Sequence, residues 1–146
     1  IRALVRIKIG KQKKLFLGNL DSKRDWGHAR DYVEAMWKIL QQKKPDDYVI
    51  ATGKQLSIRQ FINLVTKKLN LNIIWKGKGL KEKGYDTVLK RDIIFVDKNY
   101  IRPLDVNTLL GNASKARKTL SWRPRTKIDQ LIEEMISEEI NILNVE

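Results

Sequence analysis

The sequence predicts an α/β fold in which short strands alternate with amphipathic helices. In three segments, apolar residues recur every three or four positions, as they do in helices that have one face in a core. Between these segments lie short runs of consecutive apolar residues, bounded by residues that favour turns. Only four such runs are present and long loops separate them, so they do not form a complete doubly wound sheet. We expect residues 1–146 to form a single partial domain.

Five helices are predicted. The clearest start lies at Ser57, because Ser57 and Gln60 have the spacing of a capping box. Gly10 has the position of a C-terminal stop, since glycine readily adopts the left-handed conformation that follows many helices. The residues before Gly10 therefore resemble the end of a helix, and we expect the sequence to begin within an element, as a fragment does. The predicted helices cover residues 1–9, 28–42, 57–69, 112–120 and 128–143. The predicted core-facing residues of the three longest are Tyr32, Ala35, Met36, Ile39 and Leu40; Ile58, Phe61, Ile62, Val65 and Leu69; and Ile128, Leu131, Ile132, Met135, Ile136 and Ile140.

The four predicted strands cover residues 15–17, 48–51, 72–75 and 93–96. Residues 18–27 and the Gly- and Lys-rich residues 76–91 are predicted to be loops.

The composition excludes several classes of protein. The net charge of +13 favours contact with phosphates, but no recognised nucleic-acid motif accompanies it. Cysteine is absent and His28 is the only histidine, so we expect neither a thiolate nor a multi-histidine metal site. No apolar run approaches the roughly 20 residues needed to span a bilayer, and no secretory signal is present. We therefore expect a cytoplasmic protein without disulfides.

The motifs of several catalytic classes are missing from the sequence. No Gly-rich strand–turn–helix pattern for a dinucleotide and no phosphate-binding P-loop occurs. No tyrosine is followed four residues later by lysine, and no serine lies in a nucleophile elbow. We expect neither catalytic nor cofactor-binding residues in this chain.

The segment around Arg24 allows two interpretations. Arg24 precedes a helix start, where a guanidinium and free backbone N–H groups could face an anion together. Alternatively, Asp25 caps the helix and Trp26 fills the core beneath it. The residues alone leave both open.

A second arginine, Arg102, follows the last predicted strand and precedes Pro103, which restricts the direction of the chain. Asp105 could accept sugar hydroxyls or orient Arg102. Arg24 and Arg102 would suit a diphosphate if the fold brought them together, since forked guanidinium donors match phosphate oxygens. The alternative is a surface Arg–Asp pair of little energetic value.

Four stretches resemble GDP-mannose 4,6-dehydratases, a family within the extended short-chain dehydrogenase/reductase superfamily of nucleotide-sugar enzymes. They are GNLDSKRDWGHARDYVEAMW, YVIATGKQLSIRQF, YIRPLDV and GNASKARKTLSWRP, in this order and at this spacing. The resemblance covers essentially all 146 residues. It implies the C-terminal, substrate-binding portion of the fold, without the N-terminal Rossmann half. That half would carry NADP and the catalytic Thr, Glu, Tyr and Lys, so this chain alone is expected to be inactive and to bind no cofactor.

The resemblance also implies roles for individual residues. Arg24 and Arg102 match arginines that hold the diphosphate of the GDP-sugar, and residues 17–19 match a segment near the nucleotide. Asp105 stands where the family usually has Glu, and Asn107 where it usually has Asp. The implied substrate-binding residues are Leu17, Gly18, Asn19, Arg24, Arg102 and Asp105.

The leading hypothesis is therefore part of an enzyme that converts GDP-mannose to GDP-4-keto-6-deoxymannose and, by family, forms a homo-oligomer. Two alternatives stay open: a basic module for nucleic acid or another polyanion, and the C-terminal half of a related nucleotide-sugar epimerase or reductase. Without a Rossmann partner, the chain should expose an apolar face and self-associate.

Overall fold

The structure, a computed structural model, describes residues 1–145. In this part of the chain, five α-helices, six β-strands and two 3₁₀ turns follow one another. The helices are α1 (Arg2–Lys8), α2 (Ala29–Leu40), α3 (Ile58–Lys68), α4 (Ser114–Thr119) and α5 (Ile128–Val145). The strands are β1 (Leu15–Leu17), β2 (Lys23–Asp25), β3 (Gln55–Ser57), β4 (Ile73–Lys76), β5 (Lys83–Asp86) and β6 (Arg91–Val96). The 3₁₀ turns are Gly79–Lys81 and Lys98–Tyr100.

The larger sheet has the strand order β1-β6-β5-β4. β1 and β6 are parallel, with Leu15 opposite Ile94, whereas β5 is antiparallel to both of its neighbours. The parallel pair places the end of β1 beside the end of β6. The loops that follow these two strands therefore start at the same edge of the sheet.

The smaller sheet pairs β2 with β3 in antiparallel fashion, with Arg24 opposite Leu56. The backbone of the 101–110 loop lies along the other edge of β2. There the Lys23 N–H donates to the Asn107 carbonyl (2.8 Å), and the Leu109 N–H donates to the Lys23 carbonyl (3.3 Å). As a result, β2 carries Arg24 directly beside the loop that carries Arg102.

Two apolar clusters form the core. The main cluster joins α1, α3 and α5 to β6, and its most buried members include Leu4, Val65, Ile93 and Ile132. The second cluster packs Ala35 of α2 against residues of α4 and against Trp122. The Trp122 indole N–H donates to the Asp31 carbonyl at 2.8 Å, so this buried polar group is satisfied.

Much of the secondary structure predicted from the sequence is confirmed. All five helices are present, as are the strands predicted at 15–17, 72–75 and 93–96. The capping box is complete: Ser57 Oγ accepts from the Gln60 N–H (3.1 Å), and Gln60 Oε1 accepts from the Ser57 N–H (2.8 Å). Gly10 has a positive φ of 83° after α1, as a C-terminal stop requires. Asn112 Oδ1 accepts from the Ser114 N–H at the start of α4, at 3.0 Å.

The prediction of strands was wrong in two respects. Both predicted loops contain strands, since β2 lies within residues 18–27 and β5 within residues 76–91. Their polar sequences lack an apolar run, and pairing with neighbouring strands makes them extended. Conversely, residues 48–51 do not form a strand: within the described part of the chain no segment pairs with them, and Val49 is exposed.

The predicted core faces of α2 and α5 were also partly wrong. In α2, Ala35 is buried, but Met36 and Leu40 are exposed. In α5, Ile132 and Ile136 are buried while Met135 and Ile140 are exposed. On α5 the neighbouring buried position is Glu139, whose carboxylate accepts a hydrogen bond from Arg6 Nε on α1 at 2.9 Å.

Over residues 1–145, every helix is too short or too polar to cross a membrane. Within the same range, no three His, Asp or Glu side chains come together in a way that could hold a metal ion.

Candidate functional site

All six residues that the resemblance implied as substrate-binding lie around one cavity of about 230 Å³. The cavity is open at the edge of the larger sheet, between the end of β1, β2 and the loop after β6. Its lining residues are Leu17, Gly18, Asn19, Ser22, Arg24, Ile58, Tyr100, Arg102 and Asp105.

The end of β1 forms one wall and requires a glycine. The Leu17 carbonyl accepts from the Asp97 N–H at 2.8 Å, which brings the 3₁₀ turn Lys98–Tyr100 against the next residue. A Cβ atom at Gly18 would lie 2.1 Å from the Tyr100 carbonyl oxygen, closer than any side chain allows. Asn19 then turns the chain, since its Oδ1 accepts from the Asp21 N–H at 3.0 Å. Glycine at position 18 therefore allows the 3₁₀ turn Lys98–Tyr100 to pack against the end of β1.

Arg24 is held rigidly by the protein. Its Nη1 donates to the Lys23 carbonyl (2.8 Å) and to the Val106 carbonyl (2.7 Å). Its Nη2 donates to Asp105 Oδ1 at 2.5 Å. Three of its five N–H donors are engaged in these bonds, which leaves Nε–H and one Nη2 hydrogen without a described protein acceptor. Arg24 thus combines a fixed orientation with remaining capacity to bind an anion.

Asp105 bridges two residues of the 18–25 segment. One carboxylate oxygen accepts from Arg24, and the other accepts from Ser22 Oγ at 2.6 Å. The pKa of Asp105 is lowered, chiefly by the hydrogen bond from Ser22 and also by the charges of Arg24 and Arg102. Partial burial acts in the opposite direction and is outweighed. The side chain of Asp105 donates nothing and accepts from Ser22 and Arg24, so it does not orient the Arg102 guanidinium through a hydrogen bond as one interpretation predicted. The role of Asp105 toward sugar hydroxyls stays a prediction.

Arg102 lies on the opposite rim and is exposed. Its backbone carbonyl accepts from the Asp105 N–H at 3.1 Å, which closes a tight turn around Pro103. Among residues 1–145 its guanidinium has no described hydrogen-bond or ion-pair partner. The surface Arg–Asp pair considered for Arg102 is therefore not formed within the described chain, and Arg102 is one of the residues that line the cavity.

The alternative interpretation of the Arg24 segment is half right. Asp25 does not cap α2: its two oxygens accept from the Thr52 and Gly53 N–H groups, at 3.0 and 2.8 Å. The cap is His28, whose Nδ1 accepts from the Arg30 N–H at 3.0 Å. Trp26 does fill the core, because its ring stacks on Phe61 with centroids 4.0 Å apart.

Sequence reasoning missed three residues of the cavity: Ser22, Ile58 and Tyr100. Tyr100 opens the same stretch as Arg102, and Ser22 lies two residues before Arg24, so both were near the motifs. Ile58 begins α3, and only the fold brings it to the end of β1.

Two further cavities lie near this site. One of about 350 Å³ shares Arg24 and is lined mainly by apolar residues of the 48–51 and 109–111 segments. Its Tyr32 has a raised pKa, mainly through burial and then through Asp25. The other cavity, of about 750 Å³, lies between Trp26 and the start of α5.

The fold places the chain in a class of proteins, those that share the extended short-chain dehydrogenase/reductase fold. RMD from Pseudomonas aeruginosa complexed with NADPH aligns with a TM-score of 0.71 and 20% identity, over 94% of this chain and 40% of its own. The UDP-glucose 4-epimerase of Thermotoga maritima with UDP-glucose aligns with a TM-score of 0.69 and 16% identity, over 96% of this chain and 38% of its own. At such identities the likeness shows the fold alone, and it confirms the predicted fold class.

Sequence similarity then gives the family. A family model described as GDP-mannose 4,6 dehydratase matches residues 1–135. GDP-mannose 4,6 dehydratase 2 of Caenorhabditis elegans is 46% identical over 147 residues, which cover 99% of this chain and 38% of that protein. The GDP-mannose 4,6-dehydratase of Sinorhizobium fredii is 45% identical over 142 residues, covering 97% and 40% respectively. This chain belongs to the GDP-mannose 4,6-dehydratase family and corresponds to the C-terminal part of those relatives. It spans about two fifths of their length.

The dinucleotide cofactor of this superfamily does not fit the described residues. After β1, the chain continues through Gly18 into β2, and after β6 it continues into a 3₁₀ turn. Neither strand of the parallel pair leads through a Gly-rich turn into a helix N-terminus, which is where a pyrophosphate would bind.

Proposed function

We propose that this chain supplies the GDP-sugar-binding portion of a cytoplasmic GDP-mannose 4,6-dehydratase, the enzyme that converts GDP-mannose to GDP-4-keto-6-deoxymannose. The observation that carries the proposal is the convergence of Arg24 and Arg102 on one cavity. Residues 78 positions apart in the sequence, Arg24 in β2 and Arg102 in a loop, meet there with the end of β1.

The chemistry of the cavity suits a diphosphate. Its charged groups are Arg24, Arg102 and Asp105, so the formal charge is +1 and favours an anion. Arg24 is preorganised by protein acceptors, and such fixed donors bind an anion with little loss of side-chain freedom. Arg102 is free to complete the contact from the other rim. In the proposal, residues 17–19 pass along the nucleotide, and Asp105 keeps Arg24 in place.

The remaining parts of the enzyme are proposed to come from a Rossmann half that binds NADP and carries out the chemistry. An exposed apolar face of α2 supports such a docked partner, since Val33, Met36, Trp37 and Leu40 have the spacing of one helix face. Within residues 1–145, segment 48–51 is not paired with a strand, which leaves its backbone able to pair with a strand of the Rossmann half. We expect the enzyme to be a homo-oligomer, as the family resemblance implies, and the isolated chain to be inactive.

The test is nucleotide-sugar affinity in the native protein that carries this chain. Titration calorimetry with GDP-mannose should show a loss of about tenfold or more in Arg24→Ala and in Arg102→Ala, since hydrogen bonds between charged groups contribute about 1.5–3 kcal/mol. Arg123→Ala is the matched control, because Arg123 is exposed outside the cavity. Wild-type affinity in both cavity variants would overturn the proposal.

The same titration distinguishes a basic polyanion module. Such a module would bind an oligonucleotide with an affinity that falls steeply with salt and would not discriminate GDP-mannose from other anions. Arg24→Ala and Arg102→Ala would then have effects as small as that of Arg123→Ala.

A further inference from the structure

We propose that the Ser22 hydroxyl positions the two arginines of the diphosphate site by fixing the Asp105 carboxylate. The inference rests on the proposed function and adds a residue to which neither the family resemblance nor the sequence motifs gave a role. Ser22 would be a positioning residue, acting through Asp105 without touching the ligand's reacting atoms.

The Asp105 carboxylate accepts a hydrogen bond on each of its two oxygens. Ser22 is 3% exposed, and its hydroxyl donates to Asp105 Oδ2 at 2.6 Å while Arg24 donates to Oδ1 at 2.5 Å. A carboxylate that accepts on both oxygens from two directions has its plane fixed. Removal of the Ser22 donor would leave it anchored on one oxygen and free to rotate away from Arg24.

Asp105 is also connected to Arg102 through the backbone. The Asp105 N–H donates to the Arg102 carbonyl, so the two residues belong to one tight turn. Four hydrogen bonds connect residues 105–107 to residues 22–24. Ser22 and Arg24 each donate to the Asp105 carboxylate, and Arg24 also donates to the Val106 carbonyl. The fourth runs from the Lys23 N–H to the Asn107 carbonyl. Ser22 is the most buried of the residues that make these side-chain contacts, since it is 3% exposed while Arg24 and Asp105 each keep about a quarter of their side-chain surface exposed. Loosening Asp105 would therefore displace Arg102 as well as Arg24.

The side-chain hydroxyl and the backbone carbonyl of Ser22 have different hydrogen-bond partners. Its carbonyl accepts from the Ile58 N–H at 3.2 Å, a contact that alanine would retain. The side-chain hydroxyl has Asp105 as its described acceptor. Ser22→Ala consequently removes one interaction and leaves the local fold of β2 and α3 in place.

The experiment is a double-mutant cycle on GDP-mannose affinity in the native protein that carries this chain. Ser22→Ala should weaken binding about three- to tenfold, and Ser22→Thr, which restores a hydroxyl, should recover most of the loss. Asp105→Asn should weaken binding at least as much. Combining Ser22→Ala with Asp105→Asn should add less than about twofold to the effect of Asp105→Asn, because both act through one contact.

A pH series gives a second readout that a general loss of stability would not produce. The hydroxyl hydrogen bond favours the ionised form of Asp105, so the acid limb of GDP-mannose binding should move to higher pH in Ser22→Ala. The groups facing this carboxylate are Ser22, Arg24 and Arg102. Ser114→Ala is the matched control, since Ser114 Oγ donates to Asn112 and neither residue lines the cavity, and it should match the wild type in both readouts.

The outcomes distinguish this inference from the proposed function. If Arg102→Ala loses binding but Ser22→Ala keeps wild-type affinity and the wild-type acid limb, the role of Ser22 is overturned and the GDP-sugar site stands. Additive effects of Ser22→Ala and Asp105→Asn would equally overturn it. If Arg24→Ala and Arg102→Ala both bind normally, the proposed function itself fails.

Discussion

The Asp105 carboxylate provides a direct test of electrostatics at the level of a single residue. Its pKa in the folded chain is lowered by the Ser22 hydrogen bond first, and then by the charges of Arg24 and Arg102. In an unfolded chain an aspartate titrates near its ordinary pKa of about 3.9. A folded pKa below this value means that ionised Asp105 stabilises the fold above about pH 4, and that this contribution is lost as the pH falls through the folded pKa.

We therefore predict that the free energy of unfolding differs between the wild-type chain and Asp105→Asn, whose amide cannot ionise, and that this difference depends on pH. The gap between their free energies of unfolding should be constant above about pH 5 and should shrink as the pH falls below about 4. Urea unfolding followed by tryptophan fluorescence at a series of pH values measures this gap. A gap that stays constant down to about pH 3 would show that Asp105 is not stabilised in its ionised form.

Sequence reasoning identified the charged residues of the site but not their pairing. Arg24 and Arg102 were selected because forked donors beside helix and strand ends suit phosphates, and the cavity contains both. For Asp105 the sequence suggested either sugar hydroxyls or Arg102, three residues away, whereas the hydrogen bonds of its carboxylate within the described chain come from Ser22 and Arg24, more than 80 residues away. No local pattern carries that information, because the pairing depends on the loop after β6 lying along β2.

At the level of elements, the positions of the helices and the caps at Ser57 and Gly10 were predicted correctly, while the buried faces of two helices and the set of strands were predicted only in part. Ser57, Gln60 and Gly10 have local physical roles, and each is confirmed. β2 and β5 escaped prediction because their residues are mostly polar or glycine, and their extended shape comes from hydrogen bonds to neighbouring strands. Residues 48–51 have the apolar composition of a strand but no neighbour with which to pair in the described chain. Strand formation depends on a partner, and a single sequence segment does not specify one.

The capping box gives a prediction at this level. Ser57→Ala should lower the free energy of unfolding by about 1 kcal/mol, because the Gln60 N–H loses its acceptor at the start of α3. Ser57→Asp supplies an alternative acceptor and should recover most of the loss. Urea unfolding measures both variants, and equal stability of Ser57→Ala and the wild type would contradict the capping role.

Over the whole molecule, the net charge and the exposed apolar surface have opposite effects on the association of one chain with another. The net charge of +13 opposes association of like chains. Against this, one face of α2 exposes Val33, Met36 and Trp37 at about 60% and Leu40 at 80%. These four large apolar side chains lie on one helix face and form a contiguous patch. Contiguous exposed apolar patches of this kind mark interaction surfaces, whereas single exposed apolar residues do not.

We predict that the 146-residue chain self-associates through this face, and more strongly as salt is added, because salt screens the repulsion between positive chains while leaving apolar contact intact. Sedimentation velocity at low and high salt measures the effect. Met36→Lys combined with Leu40→Lys should give a monomer under both conditions, whereas Leu80→Lys, an equally non-polar exposed site outside α2, should still associate.

Association that weakens with salt would instead indicate contact between opposite charges, such as the basic 115–127 segment and the acidic 129–146 segment of two chains. A monomeric wild type at both salt concentrations would show that the α2 face needs no partner, and the proposed docking of a Rossmann half on it would lose its main support.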